Sequence, residues 1–97
     1  MAVYRILFSG HVQEVGFRAT CQHLARRLPA LAGQVCNLSD GRAQLTVRGP
    51  AEDVDRLVAL LRQAFPGYID DVEQTELPPD DDSLPAGLSG VHIVRGR

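Results

Sequence analysis

Apolar residues recur along this chain at every second position from Tyr4 to Phe8, and then at helical spacing from Phe17 to Leu28. They alternate again around Val35 and Val47, return to helical spacing from Val54 to Phe65, and end in a weak alternation from Ile69 to Leu77. That order of periods admits few folds, because each helix must bury a stripe, and each strand at least one face, against a shared core. Residues 2–9 are rich in aromatic and β-branched types with apolar side chains on most of both faces, which predicts a central strand. Gly10 to Gly16 has little periodicity and reads as a loop. Phe17, Cys21, Leu24, Ala25 and Leu28 then mark a helix of about three turns, ended by Pro29. Residues 33–38 read as a short strand, Ser39-Asp40-Gly41 as a hairpin turn, and 42–48 as a strand with Ala43, Leu45 and Val47 on one face. The clean alternation of this last strand predicts that one face of the sheet meets water.

Gly49-Pro50-Ala51-Glu52-Asp53 puts proline at a helix start and acids in the first turn, where the helix dipole favours them. Val54, Leu57, Val58, Leu61 and Phe65 form one stripe, and burying it contributes roughly 8 to 15 kcal/mol at about 1.5 to 3 per side chain. Tertiary packing, more than helix propensity, therefore sets this helix, and Gly67 ends it. Residues 68–77 predict a weaker strand, 78–90 a Pro-, Asp- and Gly-rich loop, and 91–94 a short closing strand. The sum is an α+β sandwich of order βαββαβ with two helices on one face of an antiparallel sheet, plus the C-terminal strand. Right-handed crossovers make strands one and two parallel with strand three between them. Their carboxyl ends then share an edge, which brings Gly10 to Arg18 together with Asn37.

The 97 residues, 44% hydrophobic and 23% charged, suit one domain spanning 1–97 and argue against disorder or fibrous repeats. No apolar run is long enough to cross a bilayer, and Met1-Ala2-Val3-Tyr4-Arg5 lacks the start of a secretory leader, so a cytoplasmic protein with no membrane partner is expected. Residues 1–62 hold eight Arg against five acids, and 63–97 two Arg against seven, so the parts carry +3 and −5. With net charge −2 there is no basic footprint for nucleic acid, and Tyr4, Phe8, Phe17, Phe65 and Tyr68 fall at core-like positions rather than on a stacking surface. Any anion must be caught by a few aimed groups. Cys21 and Cys36 have neither zinc nor redox spacing and are expected on opposite faces, out of reach of a disulfide. Asp80-Asp81-Asp82 reads as solvated loop, and His11, His23 and His92 as solvated side chains without ligand spacing. The expectation is no metal and no cofactor.

The loop before the first helix offers unpaired backbone N–H groups at the positive end of a helix dipole, a place for a phosphate-sized anion. Arg18, in the first turn, adds a guanidinium able to hold two oxygens of the same anion. Gln13 reads as a scaffold for this loop.

These residues also carry a resemblance. Gly10-His11-Val12-Gln13-Glu14-Val15-Gly16-Phe17-Arg18 resembles the G-x-V-Q-G-V-G-F-R signature of acylphosphatases. Gly33-Gln34-Val35-Cys36-Asn37-Leu38-Ser39-Asp40-Gly41 looks like their second signature, G-x-V-x-N-x-x-D-G. The resemblance runs through Gly49-Pro50 to His92-Ile93-Val94-Arg95 and implies a ferredoxin-like fold. It implies that Arg18 binds a phosphoryl group together with the backbone amides of Gln13, Glu14, Val15, Gly16, Phe17 and Arg18, and that Asn37 holds the attacking water. The implied reaction is hydrolysis of a small acyl phosphate, without metal or covalent intermediate; apart from the resemblance a monomer is the default expectation, although an exposed final strand could pair with a second chain. A module of the same fold that senses phosphate without turning it over is the alternative. Two positions depart from the family pattern: Glu14 stands where glycine is usual, and Gln34 where many relatives have an aromatic residue. If residue 14 has positive φ, its side chain costs about 1 to 2 kcal/mol. A carboxylate about 5 Å from the phosphate would add about 3 kcal/mol of repulsion at an effective dielectric of 20. A backbone-inward cradle avoids the second cost by turning Glu14 to solvent.

Overall fold

A computed structural model describes residues 1–96, so all but the last residue of the expected domain 1–97 lies within it. The elements are β1 (Val3–Gly10), α1 (Phe17–Ala25), β2 (Ala32–Asn37), β3 (Ala43–Arg48), α2 (Ala51–Ala64), β4 (Ile69–Glu76) and β5 (Gly90–Ile93). They form the expected α+β sandwich, with one five-stranded sheet in the order β4-β1-β3-β2-β5. β3 runs antiparallel to both β1 and β2, so those two are parallel with β3 between them, as the crossover rule requires. β5 pairs in parallel with β2, which makes the sheet mixed rather than wholly antiparallel. α1 stops at Ala25, and residues 26–28 close as tight turns in which Arg27 and Leu28 donate to carbonyls three residues back, so the helix is shorter than its stripe suggested.

Strand period sends Tyr4, Ile6 and Phe8, with Val35, Ala43, Leu45 and Val47, to the helix face, where all are buried. Val54, Leu57, Leu61 and Phe65 of α2 and its cap, with Phe17, Cys21 and Leu24 of α1, close the same core. Phe17 is central to it, its ring 4.9 Å from Phe8 and 5.3 Å from Phe65 between centroids. The first residue of α1 is thus anchored to a strand and to the end of the other helix. Tyr68 departs from the core position expected of it: it is 45% exposed, and its ring stands at 90° to that of Phe65, 6.3 Å between centroids. Both cysteines are free, and burial pushes the Cys21 thiol up to about 12, which leaves it unreactive near neutral pH. No described helix is long and apolar enough to cross a membrane.

The other face of the sheet is not fully open. β4 and β5 are opposite edges, so the segment joining them must traverse the sheet, and Ser83 comes to lie beside Arg5, Gln34 and Thr46. Leu84 of this segment is buried, as are Thr46 and Cys36 on the face it crosses. The alternation in β3 anticipated a solvated face; the distance between the edge strands supplies a cover that no local pattern announces. Truncating Leu84 to Ala should lower unfolding free energy by about 2 kcal/mol, the lower end for buried leucines. Urea denaturation checks this, and a change within error would mean that the crossing segment carries no packing energy.

Candidate active site

The loop from β1 to α1 is held at four points. At its start Gly10 has φ of 116°, and a Cβ there would come within 2.3 Å of the Tyr68 carbonyl oxygen, so only glycine permits the close approach of the β4 edge. The His11 amide donates to that same carbonyl at 2.8 Å. Next, Val12 is buried and fastens the loop to the core. Gln13 reaches across to the β2–β3 hairpin, where its side-chain amide nitrogen donates to the carbonyls of Leu38 at 2.7 Å and Arg42 at 3.1 Å. Phe17 anchors the far end.

Between these anchors the backbone is arranged unusually. φ is positive at Glu14 (64°) and Gly16 (83°) and negative at residues 13, 15 and 17, so its sign alternates across the segment. Alternating right- and left-handed residues turn successive N–H groups toward one side, the backbone basis of anion-binding concavities. No amide of residues 13–19 donates a hydrogen bond to any acceptor among the described residues. Gly16 caps the helix without a side-chain bond. A hollow of about 170 Å³ opens here, lined by Glu14, Gly16, Phe17 and Arg18, with Ile93 of β5 on its rim.

Charge around the hollow is unbalanced in the same sense. α2 carries Glu52 and Asp53 in its first turn, whereas α1 has no acid there and instead has Arg18. A cation at a helix N-terminus opposes the dipole by typically 0.3–1 kcal/mol. Arg18 is half-buried and makes neither an ion pair nor a hydrogen bond among the described residues. An anion in the hollow would relieve both the dipole and the guanidinium. Glu14 does not take that place: it is exposed, accepts no hydrogen bond from these amides and forms no ion pair with Arg18 among the described residues. Its left-handed backbone, the single non-glycine case among them, incurs the steric cost anticipated above, while water screens its charge.

Asn37 ends β2 on the helix face, in one row with Ala43 and Phe8. Its Oδ1 is buried without a hydrogen-bond partner, an acceptor awaiting a donor. The bond from Gln13 to the next residue, Leu38, ties the loop to the strand end that carries Asn37. The hairpin itself is stiffened by Asp40, which accepts from the Arg42 backbone amide at 3.0 Å and pairs with its guanidinium at 2.8 Å. That hydrogen bonding holds the Asp40 carboxyl below its ordinary range. The turn keeps this contribution above the unfolded-state carboxyl pKa and loses it in acid, as pH falls through the depressed value.

The expected residues therefore separate. Glu14, Gly16, Phe17 and Arg18 line the hollow; Gln13 points away to the hairpin, Val15 packs partly against the core, and Asn37 stands outside the lining. Ile93 and Ala19 line it without having been singled out, because nothing local to them marks a site. His11 is exposed beside Tyr68, and His92 lies 2.7 Å from the Ser89 carbonyl oxygen through its Nε2. Among the described residues no group of His, Cys, Asp or Glu gathers to hold a metal ion.

The family model of acylphosphatases matches residues 4–85. The chain belongs to the acylphosphatase family. It is 38% identical over 86 residues to an acylphosphatase of Gloeobacter violaceus, covering 89% of this chain and 86% of the relative. With that of Halorhodospira halophila it shares 40% over 85 residues, covering 88% and 89%. The crystal structure of acylphosphatase from Bacillus subtilis superposes with a TM-score of 0.78 at 33% identity, covering 97% of this chain and 99% of that one.

Replacing Glu14 by glycine removes about 1 to 2 kcal/mol of left-handed strain and restores about 0.5 to 1 kcal/mol of unfolded-state entropy. The net expectation for Glu14→Gly is a gain near 0.5 to 1 kcal/mol, a rise of a few degrees in Tm for a chain of this size. Calorimetry checks the sign; a lower Tm would mean that the Glu14 side chain contributes more than its backbone costs.

Proposed function

We propose that this chain hydrolyses small acyl phosphates to a carboxylate and inorganic phosphate. Acyl-phosphate hydrolysis is the activity for which its acylphosphatase relatives are named. The observation that carries the reading is the run of unpaired amides at 13–19 with alternating φ beside the unpaired guanidinium of Arg18.

In this reading the phosphoryl oxygens accept hydrogen bonds from the amides of residues 13–18 and from Arg18. These groups stand in place before substrate arrives, so little reorganisation is needed as charge spreads over the equatorial oxygens. Asn37 Oδ1 accepts a hydrogen bond from a water and holds it in line with the scissile bond. The water oxygen bonds to phosphorus, the bond from phosphorus to the acyl oxygen breaks with its electron pair leaving on the carboxylate, and the water proton passes to a phosphate oxygen. A carboxylate is a good leaving group, so no general acid is required, and positioning contributes most of the acceleration. An amide is too weak a base to take the proton, which limits Asn37 to orientation. The competing reading, a sensing module silenced by Glu14, requires that carboxylate to face the anion; its exposure and lack of partners in the loop argue against it.

Kinetics with benzoyl phosphate test the roles. Arg18→Ala should raise KM and lower kcat together, with kcat/KM down about tenfold to a hundredfold for one charge-assisted contact. Asn37→Ala should lower kcat about a hundredfold with KM little changed, as expected of lost positioning. Wild-type rates in both variants would remove these assignments.

A further inference from the structure

A second hollow, of about 150 Å³, lies on the face of the sheet opposite the helices. β1, β2 and β3 floor it with Arg5, Gln34, Gln44 and Thr46, while Ser83 of the crossing segment and Arg95, just beyond β5, form its walls. Its size equals that of an engineered protein cavity of about 150 Å³ that admits benzene, but here the lining is polar.

Arg5 and Arg95 both line the hollow. Among the described residues the ion pair is that of Arg42 with Asp40, and neither Arg5 nor Arg95 makes one or donates a side-chain hydrogen bond. Asp81 is the carboxylate that feels Arg5, yet its Oδ1 is taken by the Ser83 amide at 2.9 Å. Glu73, opposite Leu7 in the β1–β4 register, is exposed and lies outside the lining. Thr46, the one buried polar or charged residue among the described residues, lines the hollow. Donors thus surround the hollow, and no carboxylate lines it.

We propose that this hollow is a second oxyanion site, taking a phosphate dianion, free or as a small monoester, between Arg5 and Arg95. Guanidiniums hold phosphate through paired hydrogen bonds, two of them match its charge, and Gln34, Gln44 and Thr46 supply further donors. The sheet separates this hollow from the one at Arg18, so both can be filled at once. β2 alternates between the two faces of the sheet: Gln34 and Cys36 line this hollow, and Val35 and Asn37 lie on the helix face.

The experiment follows amide and side-chain resonances of the full chain as inorganic phosphate or glycerol phosphate is added at constant ionic strength. Shifts at Gln34, Gln44 and Thr46 are expected with a midpoint separate from that of residues 13–18. Arg5→Gln and Arg95→Gln should each weaken the open-face midpoint at least tenfold and leave the loop midpoint unchanged. Whichever phosphate has the lower midpoint identifies the form preferred. Arg95 is exposed in the tail, so its variant keeps the test readable should Arg5→Gln fail to fold. A second readout is alkylation of Cys36, which lines the hollow while Cys21 is inert; phosphate should slow it in wild type and not in Arg95→Gln. Shifts confined to the loop, shifts that persist in both variants, or shifts reproduced by chloride would overturn the proposal.

Discussion

The β1–α1 loop keeps its amides unpaired while it is anchored on either side of them, and the contact that matters most is made by Gln13. Its side-chain amide spans 25 residues of sequence to the Leu38 carbonyl and shares the Arg42 carbonyl of the same hairpin. A loop free to relax would turn its N–H groups to its own carbonyls. This one is stretched between a buried Val12, the Gln13 bridge and a Phe17 wedged between Phe8 and Phe65. The same bridge ties the loop that leads into Arg18 to the end of β2 that carries Asn37, nineteen positions further along the chain.

The topology does the remaining work. Because β1 and β2 are parallel on either side of β3, their carboxyl ends fall at one edge, and a short loop from each suffices to build a site there. β5 then closes the edge: its Ile93 sits on the rim of the hollow, and Gly96 lies so close to Asn37 that a Cβ there would meet the Asn37 carbonyl oxygen. Gly96 is thus packed against the residue proposed to hold water.

Much of this was legible because the signals are local. The alternation in β1 and β3, the stripe of α2 and the Asp40-Gly41 turn each reflect a single element and appear where expected. Parallel pairing of β5, the cover over the second face and the exposure of Tyr68 depend on which strands become edges, and no window of sequence contains that. Burial of Leu84 belongs with them, since its segment reads as polar loop until the distance from β4 to β5 is known. In the candidate site Arg18 and the glycine-bearing loop stood out, while Ile93 did not, because an apolar residue in a short strand looks the same at a rim as in a core. Glu14 divides in two: its departure from the family pattern was plain, but only its φ and exposure separate a strained backbone from a blocked cradle.

The proposed chemistry requires backbone amides that face an anion while the Glu14 carboxylate faces water. A crystal structure of the protein with phosphate addresses this directly. It should place phosphate oxygens within hydrogen-bond distance of amides among residues 13–18 and of the Arg18 guanidinium, with Glu14 turned to solvent. An empty loop, or amides occupied by the Glu14 carboxylate, would contradict it.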